Sequence, residues 1–353
     1  MSGIIGIGAV TPVGLSARAS AAALRAGIAR ITEIAGYTVP GPQGEPVEPV
    51  GGRVPLEWLT GGPKLEEWPG HQKAGKRPPL PEACWIADGS ERVATLARLA
   101  LEEALADAKL TRPTTDTVLL LALADQEPSG PIMDAVRQLG WAPGNVESVP
   151  GGRVAALAAL HRARRMLDDR RASTVVVLAA DSRIRPAVLR ALDAAGRLRS
   201  ENRPRAPHPG EGAAALVLSA SGGCPLLASG LGEEPTAGTD EPNQAVGLTE
   251  ALRTAQRGAA LDHRPLCIGD LDGDRYRATE WAMAQMRTVG ALTYRTPDDW
   301  TSADLIGDTG AAAGGIHAVW AVDALKRGYS PQPRALVWGA SDRSARAAIV
   351  LGS

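Results

Sequence analysis

Phenylalanine is absent from this chain of 353 residues, and Trp and Tyr together bring the aromatic content to only 3%. The core must then be built from Ala, Val and Leu, whose small volumes let helices and sheets approach closely. Cysteine occurs three times, at Cys84, Cys224 and Cys267. That is too few and too scattered for a disulfide framework or a thiolate metal cluster. Neither sign of charge dominates: Lys plus Arg is 38, Asp plus Glu is 39, and the net charge is −1. A whole-protein footprint for nucleic acid is lacking. The longest apolar runs, such as Val118 to Ala124 and Val175 to Ala180, fall far short of the ~20 residues of a membrane span. No basic segment precedes the first apolar stretch, so a signal peptide is not expected. These absences point to a cytoplasmic protein with no membrane span and no nucleic-acid partner.

What is present is an alternation of buried strands and helices. Ile4 to Val10 reads as a strand apolar on both faces, and Thr11-Pro12-Val13-Gly14 as its turn. Ser16 is placed to cap a helix through about Arg25. Further strands are expected at Val118 to Ala124, Val146 to Val149, Ser173 to Ala180, Ala213 to Ser219, Leu226 to Leu231, Pro265 to Gly269, Ala335 to Trp338 and Ala347 to Leu351. Helices are expected from Asp88 to Lys109, Gly152 to Asp168, Gly247 to Arg257, Arg275 to Gln285 and Gly310 to Lys326. Buried strands alternating with helices imply an α/β fold whose sheet is covered on both faces. The order of elements occurs twice, dividing the chain into halves at 1–222 and 223–353, without a clean residue-level repeat. A Pro/Gly-rich insertion at about 36–82 has the look of a lid or binding loop.

Two local motifs fail. Gly6-Ile7-Gly8 follows a strand, but Thr11 and Pro12 stand where a dinucleotide fingerprint needs its third glycine. Asp270-Leu-Asp272-Gly-Asp274 is acidic like a calcium loop, yet Arg275 and Trp281 replace the glycine and the bidentate glutamate. It is read as a solvated turn leading into a helix. No metal and no cofactor is expected.

Four segments in order resemble the β-ketoacyl-acyl-carrier-protein synthases of the thiolase superfamily. They are Ile5 to Gly14, Leu101-Glu-Glu-Ala-Leu-Ala-Asp-Ala108, Gly210-Glu-Gly-Ala-Ala-Ala-Leu-Val-Leu218 and Gly307-Asp-Thr-Gly-Ala-Ala-Ala-Gly-Gly315. The resemblance implies the thiolase-like αβαβα five-layered fold of two similar halves in one compact unit, and a dimer. It also implies a degenerate site. The nucleophilic Cys of a condensing enzyme matches Gly152 or Arg153, its first His Gly269 or Asp270, its Lys Ala303, and its second His Asp308. A condensing synthase uses a thiolate at a helix N-terminus and two imidazole donors. An ionised Asp308 is an acceptor only. Condensation is therefore not expected.

Other residues are read as structural. Arg153 covers a helix start and pairs with an acid elsewhere, in preference to holding a phosphopantetheine or carboxylate. Asp308 caps the helix that begins near Gly310. Cys267 is a small core residue, His208 lies in a surface loop, and His161 and His317 serve packing. Three functions follow from the resemblance. The first is a non-catalytic, chain-length-factor-like subunit paired with an active ketosynthase, with an acyl carrier protein as a further partner. The second is an adaptor, homodimeric or not, that uses only the dimer surface. The third is an acyltransferase or thioesterase with a rewired site.

Overall fold

The computed structural model describes residues 2–59, 89–124, 130–292 and 299–353. Among the described residues, one sheet has nine strands. They are β1 (Gly3–Val10), β2 (Thr117–Leu123), β3 (Val146–Pro150), β4 (Thr174–Ser182), β5 (Glu211–Ser219), β6 (Cys224–Glu233), β7 (Leu266–Gly269), β8 (Arg334–Ala340) and β9 (Ala345–Gly352). Every strand expected from the sequence is present. Spatially they run β7-β8-β9-β6-β1-β5-β4-β2-β3. The junction at the middle is slight, with β1 meeting β6 only at Gly3↔Pro225 and Ile4↔Cys224.

Strand directions repeat on either side of that seam. In the first sheet β1 is antiparallel to β5, β5 antiparallel to β4, and β4 parallel to β2. In the second, β6 is antiparallel to β9, β9 antiparallel to β8, and β8 parallel to β7. Only β3, parallel to β2 at the outer edge, has no counterpart among the described residues.

The α-helices of nine residues or more among the described residues fill three layers. They are α1 (Ala17–Arg25), α2 (Ser90–Asp107), α3 (Gly130–Gln138), α4 (Ala155–Asp168), α5 (Pro186–Ala194), α6 (Val246–Gly258), α7 (Arg275–Met286) and α8 (Ala313–Lys326). The sequence reading did not anticipate α3 or α5. The strand pleat sorts the core into these layers. Val175, Val177 and Ala179 of β4 face a central cluster with α1, α4 and α8, while Val176, Leu178 and Ala180 face α2 and α3. In the second sheet Ile349 faces the centre and Val350 faces α6 and α7. The result is αβαβα. Helix α8 is buried on all sides through Leu325, as a central layer requires.

A repeat at residue level emerges from the packing. A side chain on Gly8 would come within 2.1 Å of the Ala100 carbonyl of α2, and one on Gly6 within 2.4 Å of that of Ala104. At the matching place in the second half, Gly230 and Gly232 lie equally close to the Ala251 and Gly247 carbonyls of α6. The Gly6-Ile7-Gly8 pattern thus serves helix-on-sheet contact.

Part of the Pro/Gly-rich insertion is structured. Thr32–Glu33 pairs with Val50–Gly51, and Val39–Pro40 with Pro46–Val47. Residues 60–88 of the chain, with the rest of that insertion, Cys84 and the expected helix start at Asp88, lie outside the described residues. Ser16 caps α1 as expected, accepting from the Ala19 amide.

Candidate functional site

The two central helices begin side by side. Gly152–Val154 forms a 3-10 turn leading into α4, and Gly310–Ala312 forms one leading into α8. Gly151, with φ 155°, and Gly152, with φ 54°, supply the backbone freedom for the sharp entry into α4. The end of β7 at Gly269 reaches the same place. Gly269 has no room for a side chain, because the Trp338 indole would lie within 2.0 Å of its Cβ. Backbone bridges fix the surroundings. The Gly210 amide donates to the Asp308 carbonyl at 2.9 Å, and the Asp308 amide to the His208 carbonyl at 2.7 Å.

Arg153, 2% exposed, projects into this junction. Its Nε donates to Asp270 Oδ2 at 2.8 Å, and its Nη2 to Asp270 Oδ1. Its Nη1 is 3.2 Å from Asp272 and in contact with Asp308. One guanidinium is thus held by three buried carboxylates. A cation at a helix N-terminus meets the positive end of the helix dipole, and those carboxylates offset it. Burial works against the charge of Arg153, but Asp270, Asp308 and Asp272 outweigh it and hold the guanidinium pKa well above its usual value.

The pairs extend outward. Arg183 Nε lies 2.9 Å from Asp308 Oδ2, and Arg277 Nη1 lies 2.8 Å from Asp272 Oδ2. Asp342, in the turn between β8 and β9, contacts Arg277 and is 2.9 Å from Arg197. Asp274 is 3.6 Å from Arg277, and it caps α7 through the Tyr276 and Arg277 amides. Four arginines therefore face five aspartates. Burial raises the Asp270 carboxyl above its ordinary pKa in spite of Arg153. Burial pushes Asp308 the same way, but Arg153, Arg183 and Arg277 bring it below the ordinary value.

Arg153, Asp270 and Asp308, distant in sequence, are brought together. Gly152 and Gly269 supply the backbone beside them, and Ala303 sits half-buried on the short helix Ala303–Ile306. The pairing of Arg153 with acids is as expected. The solvated turn is corrected: Asp270 and Asp272 are only 4% and 5% exposed, because they neutralise Arg153 and Arg277. Asp308 does accept from the Gly310 amide at 2.9 Å, but it also serves two arginines. His208 is half-buried, its Nδ1 3.4 Å from the Val50 carbonyl oxygen. Sequence reasoning missed Arg183, Arg197, Arg277 and Asp342. The one available signal was Arg153 itself, a charge opening a helix whose first half, Val154 to Leu160, is apolar.

Burial pushes the Cys267 thiol up to about 12, so its reactive thiolate is withheld. Ser302 Oγ lies 2.8 Å from His317 Nε2. Burial and then Arg153 depress that imidazole to about 3, leaving it a weak base. His161 Nδ1 contacts Ser229 Oγ at 2.9 Å, at the sheet–helix interface. Glu211, in the Gly-Glu-Gly segment, is fully buried and accepts from Arg92, the Val54 amide and Ser182. It ties α2 to β4 and β5. Among the described residues, no group of three His, Cys, Asp or Glu side chains is placed to hold a metal ion. No helix among them is long and apolar enough to cross a membrane.

Comparisons with family models and with curated proteins give no match to this sequence. Solved structures do match. The ishigamide ketosynthase/chain length factor is 20% identical with a TM-score of 0.67, covering 99% of both chains. A type II polyketide synthase acyl-carrier protein in complex with its ketosynthase, bound to the hexaketide, provides a match at 14% identity and TM-score 0.76, over 100% of this chain and 99% of that one. A ketosynthase in complex with its chain length factor from Xenorhabdus doucetiae gives 12% and 0.68, over 99% and 97%. The likeness spans the full length of both chains, and this protein has the thiolase-type fold of the ketosynthases.

Proposed function

We propose that this protein is a ketosynthase-like subunit without condensing activity, paired with an active ketosynthase in polyketide-type acyl chemistry. One observation carries the reading: the Arg153 guanidinium, clamped by Asp270 and Asp308, occupies the junction of the two central helices. The resemblance matches Gly152 or Arg153 to the nucleophile, Gly269 or Asp270 to the first histidine and Asp308 to the second. A guanidinium is no nucleophile, and an ionised Asp308 accepts hydrogen bonds without donating them. It would repel an enolate or oxyanion that the family's donors stabilise. The neighbouring ketosynthase/chain-length-factor assemblies lend support to a paired role, as does the acyl-carrier complex for a carrier partner. So does β3. It hydrogen-bonds only to β2, and its other edge is unpaired among the described residues. An unpaired edge is a template for a strand from another chain.

The test is affinity purification of the full-length protein from its own source, followed by native mass spectrometry. The expected result is a one-to-one complex with a chain that carries the nucleophilic cysteine and both histidines. A protein that is strictly homodimeric overturns the pairing and leaves the adaptor role.

A further inference from the structure

Helix α1 presents Arg18, Ala22, Arg25 and Ala26 on one face, the i, i+4, i+7, i+8 spacing of a single helical stripe. Its buried residues, Ala17, Ser20, Ala21, Ala23 and Leu24, lie off that stripe. The exposed stripe forms one wall of a surface groove of about 470 Å³, whose other wall is the end of α8 with Asp323, Arg327 and Tyr329. Three arginines thus line a floor of two alanines and a tyrosine ring.

The charges there are unequal. Asp323 is the one acid in the lining, and it is already engaged. It accepts from Arg327 Nε at 2.7 Å and from the Tyr329 hydroxyl at 2.8 Å. Among the described residues, Arg18 and Arg25 have no carboxylate partner. Arg25 is nonetheless held in place, its guanidinium carbon 4.4 Å from the centroid of the Tyr329 ring. That ring is itself supported by Trp300 at 6.2 Å, and Trp300 by Trp320 at 4.7 Å. Stacking orients the planar fork while leaving its N–H donors free, the arrangement that suits carboxylate recognition.

We infer that this groove docks an acidic helix of a partner protein, with carboxylates on Arg18 and Arg25 and small residues against Ala22 and Ala26. The groove lies between the exposed stripe of α1 and the end of α8, a setting that suits a helix laid on the surface. The two alanines permit close approach. The surplus of arginine selects carboxylates and speeds encounter. The inference is independent of the central site and of the proposed function, since no residue is shared.

The test uses a fluorescein-labelled, lactam-stapled helical peptide with Glu at i, i+4 and i+7 and Ala between. Its binding to the full-length protein is followed by fluorescence anisotropy. Binding is expected to weaken about tenfold in R18E/R25E, and to weaken as salt shortens the Debye length. Y329L, which removes the platform without changing charge, should weaken it by a smaller factor. Unchanged far-UV circular dichroism and melting temperature show that each variant is folded, and R25Q replaces the double variant should it not fold. Equal binding by wild type and the charge-altered variant overturns the inference. So does equal binding of a Glu→Gln peptide, or complete displacement by inorganic phosphate at low concentration, which would mark a site for small oxyanions.

Discussion

Arg153 and Asp270 are 117 residues apart in sequence, yet the Nε of one lies 2.8 Å from a carboxylate oxygen of the other, both almost wholly buried. The pair joins the start of α4 to the end of β7, and through Asp308 to the entry of α8. It fills the junction of the two halves with charge that is neutralised internally.

Removing its cation should be costly. R153A leaves Asp270, Asp272 and Asp308 buried around an empty place, and breaking a buried ion pair from one side costs about 3–5 kcal/mol. Urea unfolding is expected to show a loss of that order. R153K should recover part of it, because an ammonium cannot match the two-oxygen contact with Asp270. A loss within that of an ordinary surface substitution would mean the cluster does not organise the fold.

Glu103 gives a pH signature. Burial raises its carboxyl to about 7, although the Ala9 and Ala17 amides that donate to it pull the other way. A carboxyl raised on folding is favoured in its protonated form. Its contribution is present at acid pH and is lost as pH rises through about 7. The difference in melting temperature between wild type and E103Q is therefore expected to fall between pH 5 and pH 8. A difference that rises over that window contradicts the assignment.

His317 has the opposite sign. Its imidazole is lowered to about 3 by burial and by Arg153. The folded protein keeps it neutral while the unfolded chain protonates near 6.5, so stability is lost as pH falls from about 6.5 toward 3. In a folded sample its ring resonances should not titrate between pH 5 and pH 8. A midpoint near 6 would show that the ring is open to water.

The paired glycines answer to a steric test. G8A and G230A each drive a methyl group to within 2.1 Å of a helix carbonyl. Overpacking of this kind costs roughly 1–3 kcal/mol. G130A, which meets nothing within 4 Å, should stay within about 0.5 kcal/mol of wild type by denaturant unfolding.

The fold was legible where both faces of an element are buried. Val175 to Ala180 reads as a strand because each pleat face meets a helix layer, and the first half of α4, Val154 to Leu160, reads as buried because it is apolar all round. Helix α5 was hidden by Pro186 after a run of charge, although proline at a first helical position is favoured. The site was legible only in part. Arg153, Asp270 and Asp308 could be singled out by the resemblance, but their mutual contact could not. An ion pair between distant residues leaves no local period, and Asp342 looks like any polar turn residue until β8 and β9 set it beside Arg197 and Arg277.

The most direct test of the central claim is intact-protein mass spectrometry after incubation with malonyl- and acyl-pantetheine thioesters of several chain lengths. With Arg153 clamped by Asp270 and Asp308 at the start of α4 and Cys267 held as a thiol, the mass is expected to stay unchanged. A stable acyl adduct that maps to a single residue would contradict the account, and would make this chain an acyltransferase with a relocated nucleophile.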